Sequence, residues 1–200
     1  MRSVDTAAMT PRGRAASPSG HVPQRTYVTG MAMALAGILM FFMALVSAYV
    51  VRKGMPHSGW VALPTLPRVL WLNTCVLIAS SIALARSRQR FRASDQAGFR
   101  RWWSVATTLG ILFLIGQVVA WRELAASGVY LATNASSSFF YLLTAAHGAY
   151  LLGGVIALLW VLLRPARRLA RGTATEVVVL YWHFMDAIWV FLFLILVFMR

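Results

Sequence analysis

Five stretches of roughly twenty apolar residues, each closed by arginines or turn-forming residues, set the limits on what this chain can fold into. A helix rises about 1.5 Å per residue and needs about 20 such residues to cross the hydrocarbon core of a bilayer. A helix also satisfies its own backbone hydrogen bonds in lipid, which an open strand cannot. The fold class that follows is all-α: a polytopic membrane protein with five transmembrane helices. The runs predict helices over about 28–51, 66–85, 102–121, 138–163 and 177–199. The second is the weakest, because Asn73, Thr74, Ser80 and Ser81 dilute it. Residues 1–27 contain Arg, Ser and Pro and lack the apolar core of a secretory signal, so they are expected to be a disordered basic tail ahead of a five-helix domain over 28–200.

The net charge of +14 would suggest a nucleic-acid partner for a soluble protein. Here 60% of residues are hydrophobic and only 12% charged, and the basic residues sit in short stretches between the apolar runs. They read as membrane topology, with no nucleic-acid role. The tail, the stretch 86–101 and the stretch 164–171 together hold 14 of the basic residues, and the alternate segments hold 5. The positive-inside rule then puts the N-terminus in the cytoplasm and, after an odd number of spans, the C-terminus outside. Trp60, Trp102, Trp103, Trp121, Tyr130 and Tyr181 fall near span ends and are expected at the interface. Small residues recur every four positions, at Ala106/Gly110 and, as the longest series, at Ala145, Ala149, Gly153 and Ala157. Such a stripe predicts close helix packing along the fourth helix.

Polar residues inside the spans are expensive and few. His183 and Asp186 lie three apart, on one face of the fifth helix and near its start, where an imidazole can donate to the carboxylate. The expected role of the pair is a polar anchor, structural or toward lipid headgroups, and a proton relay is the sharper alternative. His147 falls near mid-membrane, where a lone charge costs about 2.5–3.5 kcal/mol, so it is expected to be neutral and hydrogen-bonded to another helix. Gln117 and Asn73 are further candidates for bonds between helices. Of four histidines, only His147 and His183 are in spans, and Cys75 is the single cysteine. That excludes a multi-histidine haem or copper site and a thiolate copper site, so no cofactor or metal is expected on this chain. Asn134-Ala135-Ser136 matches a glycosylation sequon, with plain loop polarity as its reading.

Three segments carry a resemblance. "YWHFMDAIWVFLFLILVF" at 181–198 resembles the last-helix signature of haem–copper oxidase subunit III, "SSSFFYLLTAAHGAYLLGGVIALLWVLLR" resembles that family's histidine-glycine helix, and "GILMFFMALVSAYVV" its paired-phenylalanine helix. "GVYLATN" fits the loop before the penultimate helix. The segments come in order over residues 30–198, and five helices match the short bacterial form. Two positions depart: Ile38 stands where the family often has a glutamate, and Tyr150 where it has a second histidine.

The resemblance implies a non-redox subunit of a respiratory oxidase in the bacterial plasma membrane. It would bind the catalytic subunit I and subunit II, which hold the haems and copper, and bind phospholipid in a V-shaped cleft between the first two helices and the other three. It would also sustain proton uptake and protect the complex during turnover; a cytochrome c oxidase is the expected complex, while the choice of cytochrome c or quinol as donor rests with other subunits. A quinol oxidase or nitric-oxide-reductase complex is the alternative within that class. From another class, an independent transporter or proton channel would use Asp186, His183 and His147 as a relay.

Overall fold

A computed structural model describes residues 24–56, 60–61, 67–164 and 173–198. The tail up to residue 23, His57 and the arginines at 167, 168 and 171 lie outside the described residues. Five helices make up the fold: α1 (Gln24–Gly54), α2 (Arg68–Arg92), α3 (Gln96–Ala126), α4 (Ala135–Leu163) and α5 (Thr173–Phe198). Each is long and apolar enough to cross a membrane. Their alternation brings the start of α1, the α2–α3 turn, the end of α4 and the start of α5 to one end, the arginine-rich end.

The helices outrun the apolar spans. The stretch 86–101, expected as a loop, is helical except for residues 93–95. Arginine is a good helix former, and the backbone ladder continues where the side chains turn polar. The corner depends on Ser94, in the left-handed region at φ 60°, and on Asp95, whose carboxylate accepts from the Gly98 N–H at 2.9 Å and caps α3. At the opposite end Asn134 caps α4. Its Oδ1 accepts from the Ser137 N–H at 2.8 Å, and Ser137 Oγ accepts from the Asn134 N–H at 3.2 Å. The sequon asparagine is a helix cap.

The antiparallel α2–α3 hairpin is held by a ladder. Asn73 Nδ2 donates to the Phe113 carbonyl at 3.1 Å, Ser80 Oγ to the Ala106 carbonyl at 2.9 Å, and Ser87 Oγ to the Phe99 carbonyl at 3.0 Å. Each rung lies seven residues from the last on both helices, the spacing at which a seam keeps facing its partner. The polar residues that weaken α2 as a span are the ones that fasten it. Ala106 is fully buried in this interface, as its small-residue pair with Gly110 predicts.

α4 lies against α3, where Trp103 Nε1 donates to the Leu158 carbonyl at 2.9 Å and Trp121 Nε1 to Thr144 Oγ1 at 3.0 Å. Trp103 is therefore a fully buried core residue and not the interface anchor that its place near a span end suggested. α5 inserts between α2, α4 and α1, burying Trp182, Met185, Trp189, Leu192 and Leu196. α1 leans on α4 and α5 through Phe42, Val46 and Tyr49, with Tyr49 edge-on to Phe139 at 5.8 Å. The expected division of the first two helices from the other three does not hold. α2 is joined to α3 by the ladder and to α5 by Thr74 and Ser81, while α1 packs on α4 and α5.

Candidate functional site

The three segments that carry the resemblance meet at one place. Phe42 of α1, His147 of α4 and Trp189 of α5 converge, with Phe113 of α3 closing the fourth side. The ring centroids stand 6.2, 5.0 and 6.1 Å from the imidazole for Phe42, Trp189 and Phe113. Trp189 Nε1 donates to Thr74 Oγ1 at 3.1 Å, which ties the cage to α2. Tyr150, at the departed histidine position, turns its ring to Phe41 and Phe42 at 6.0 and 5.7 Å. Ile38 is half-buried against the same core.

His147 is fully buried, yet neither ring nitrogen has a hydrogen-bond partner among the described residues. This corrects the expectation of an interhelical hydrogen bond: the surrounding side chains are aromatic, and they offer ring faces and edges in place of acceptors. Gln117 likewise is buried with Nε2 and Oε1 both unpartnered among the described residues, so it makes no bond between helices here. It borders a shallow apolar groove of about 250 Å³ between α3 and α4, beside Ala145, Gly148 and Ala149. Asn73 does form the expected bond, to α3.

The polar pair on α5 is arranged otherwise than its spacing suggested. His183 Nδ1 meets Ser81 Oγ on α2 at 2.5 Å. The same hydroxyl faces the Asp186 carboxylate, which is buried at 7% exposure, but neither Asp186 oxygen closes a hydrogen bond among the described residues. His183 is bonded to the α2 serine and not to Asp186. Two to three turns nearer the arginine-rich end, Glu176 Oε1 accepts from Arg88 Nη2 at 3.1 Å and Arg92 Nη2 at 3.2 Å. A cleft of about 190 Å³ opens there, lined by Val28, Arg88, Glu176, Leu180 and His183. Glu176, Arg88 and Ser81 escaped the sequence reading because each partner lies about a hundred positions away; Ser81 is 102 residues from His183.

The small-residue stripe points away from the bundle. Ala145, Ala149 and Gly153 are exposed and Ala157 half-exposed. The close approach is one residue on, at Gly154, where an added Cβ would meet Tyr181 Cε1 at 3.0 Å and Trp182 Cε3 at 3.2 Å. Opposite it, a Cβ on Gly110 would meet Trp182 Cη2 at 2.5 Å. Trp182 is the wedge between α3 and α4, and the two glycines make its slot. Among the described residues no three His, Cys, Asp or Glu side chains gather as they would to hold a metal.

Comparison with known proteins gives a consistent result. The family described as Cytochrome c oxidase subunit III matches residues 21–199. A probable cytochrome c oxidase subunit 3 of Mycobacterium tuberculosis is 32% identical, over 98% of this chain and 100% of its own length. A probable cytochrome c oxidase subunit 3 of Nocardia farcinica is 33% identical with the same two coverages. A cytochrome c oxidase subunit 3 of Synechocystis is 32% identical over 92% of this chain and 79% of its own.

Proposed function

The chain belongs to the cytochrome c oxidase subunit III family, and from that premise we propose that it is the non-redox third subunit of a respiratory haem–copper oxidase whose donor is cytochrome c. Membership makes it a multi-pass membrane protein of an oxidase complex. The finer reading is that it binds the haem- and copper-bearing subunit I and subunit II in a bacterial plasma membrane, with its arginine-rich end cytoplasmic, holds phospholipid, and sustains proton uptake and stability during turnover.

The observation that carries this reading is the match over residues 21–199. The structure supports a scaffold role, because the polar side chains of the spans chiefly fasten helix to helix: Asn73, Ser80, Ser87, Trp103, Trp121 and Tyr181 all bond across an interface. Any part in proton uptake proceeds here without a carboxylate at Ile38.

The test is a mild-detergent pull-down through a tag on the N-terminal tail, followed by an optical spectrum and mass spectrometry. Haem bands with large histidine-rich and copper-binding subunits, and turnover of reduced cytochrome c, are the expected result. A colourless chain purified alone from cells rich in oxidase would sink it. Proton flux through that chain in vesicles would then assign an independent channel.

A further inference from the structure

We propose that the outer face of the α2–α3 hairpin, at the arginine-rich end, is a built site for one anionic phospholipid. Arg90, Arg101, Trp102 and Val105 line a cleft of about 350 Å³ between the two helices. Arg86, one turn along α2 from Arg90, lays its guanidinium over the Trp102 ring, 5.4 Å from the centroid. Arg90 meets the Asp95 carboxylate at 3.3 Å, whereas Arg86 and Arg101 form no ion pair among the described residues. Two uncompensated guanidiniums thus flank one cleft, and their planar forks suit the oxygens of a phosphodiester.

What selects a lipid over a soluble phosphate is the surface beneath. Ile82 lies one turn before Arg86 on α2, and Val105 and Leu112 come after Arg101 on the antiparallel α3; all three are exposed. From Arg101 to Leu112 the helix descends about 16 Å, which is about half of the roughly 30 Å hydrocarbon core. Charge, interfacial indole and aliphatic trough therefore come in the order and over the length of headgroup, ester region and acyl chain. Basic pockets between helices at the cytoplasmic surface are suited to such headgroups. The nearby cleft beside His183 differs, because Glu176 already takes up Arg88 and Arg92.

The site follows from the spans and the charge, and it stands whichever oxidase the chain serves. The experiment uses the intact complex carrying the full chain, in detergent, with a phosphatidylglycerol bearing a photoreactive acyl chain. Crosslinks are expected along Ile82, Val105 and Leu112. Excess phosphatidylglycerol or cardiolipin should abolish them, and phosphatidylcholine should not. The Arg86→Gln/Arg101→Gln double variant should lower labelling by about fivefold for each arginine removed. Arg92→Gln, at the same end but paired with Glu176, should leave it unchanged. Competition by phosphatidylcholine equal to that by phosphatidylglycerol would overturn the proposal. So would undiminished labelling of the double variant, or a loss with Arg92→Gln as large as the double variant's. The haem spectrum of the same sample reports separately on the oxidase reading.

Discussion

Ser81 bonds half-buried His183 of α5 and faces buried Asp186, and its hydroxyl has a single proton to give. Given to His183 Nδ1, it leaves Asp186 facing only a lone pair. Ser81→Ala should therefore free His183 from this bond and leave Asp186 as unpartnered as before. A lost bond that strands a buried partner costs about 1–3 kcal/mol; half-buried His183 sets the cost at the lower end, and a lowered thermal midpoint of the complex in detergent would register it. An unchanged midpoint would mean that His183 has another partner. Gln117 poses the reverse case. Its amide is buried with both ends unpartnered among the described residues, so a leucine of similar shape removes a polar group that returns nothing. Gln117→Leu should raise the midpoint by the equivalent of about 1–2 kcal/mol. A fall would show that the amide meets a group from a neighbouring subunit. At this scale the sequence announced which residues were out of place in lipid, since His147, Gln117, Asn73, His183 and Asp186 are all buried or half-buried. It did not announce their partners, because hydrogen-bond geometry is settled by elements far apart in the chain.

Helices in lipid hide their inward faces. A soluble helix shows its core as an apolar stripe, but here both the lipid-facing and the protein-facing sides are apolar, so hydrophobic periodicity carries little signal. The small-residue stripe of α4 was followed for that reason and points outward. The inward face of α4 is marked instead by Thr144 and His147, and the buried series Phe140, His147, Gly154 and Val161 steps by seven from there. Ala145, Ala149 and Gly153 are each displaced by one or two positions, about 100° per residue around the helix. On α3 the pair Ala106/Gly110 did identify the interface, because there the small residues and the ladder of Asn73, Ser80 and Ser87 share one seam. The contrast is testable with two like substitutions. Gly110→Ala drives a methyl into the Trp182 ring, a fixed and fully buried obstacle, and should cost about 1–3 kcal/mol of stability through overpacking. Gly153→Ala has only Tyr181 Oη near, at 3.9 Å, and should be neutral or slightly stabilising in the helix. Thermal unfolding of the two variants side by side decides it; equal losses would mean that a neighbouring subunit packs on the exposed stripe.

Across the whole molecule, charge is the property that distinguishes one end from the other. Among the described residues the arginine-rich end presents Arg86, Arg88, Arg90, Arg92, Arg100, Arg101 and Arg164 against the carboxylates of Asp95 and Glu176. The other end presents Arg52, Lys53, Arg68 and Arg122 beside Glu123. The helical extension of α2 and α3 past their apolar spans strengthens this asymmetry, because it carries the guanidiniums on rigid stems beyond the apolar stretches. Hydropathy found the five crossings, which need only length and composition, but it could not place the corner at 93–95, where backbone geometry at Ser94 and the Asp95 cap decide. That corner and the Ser127–Gly128 turn are accordingly the two sites from which to read orientation. With Cys75 replaced by alanine, a cysteine at Ser127 should react with a membrane-impermeant maleimide on intact cells, and a cysteine at Ser94 only after the membrane is opened. The reverse pattern would turn the molecule over and, with it, put the arginine cleft of the α2–α3 hairpin in the outer leaflet. It would also set the chain against the rule that basic loops stay inside.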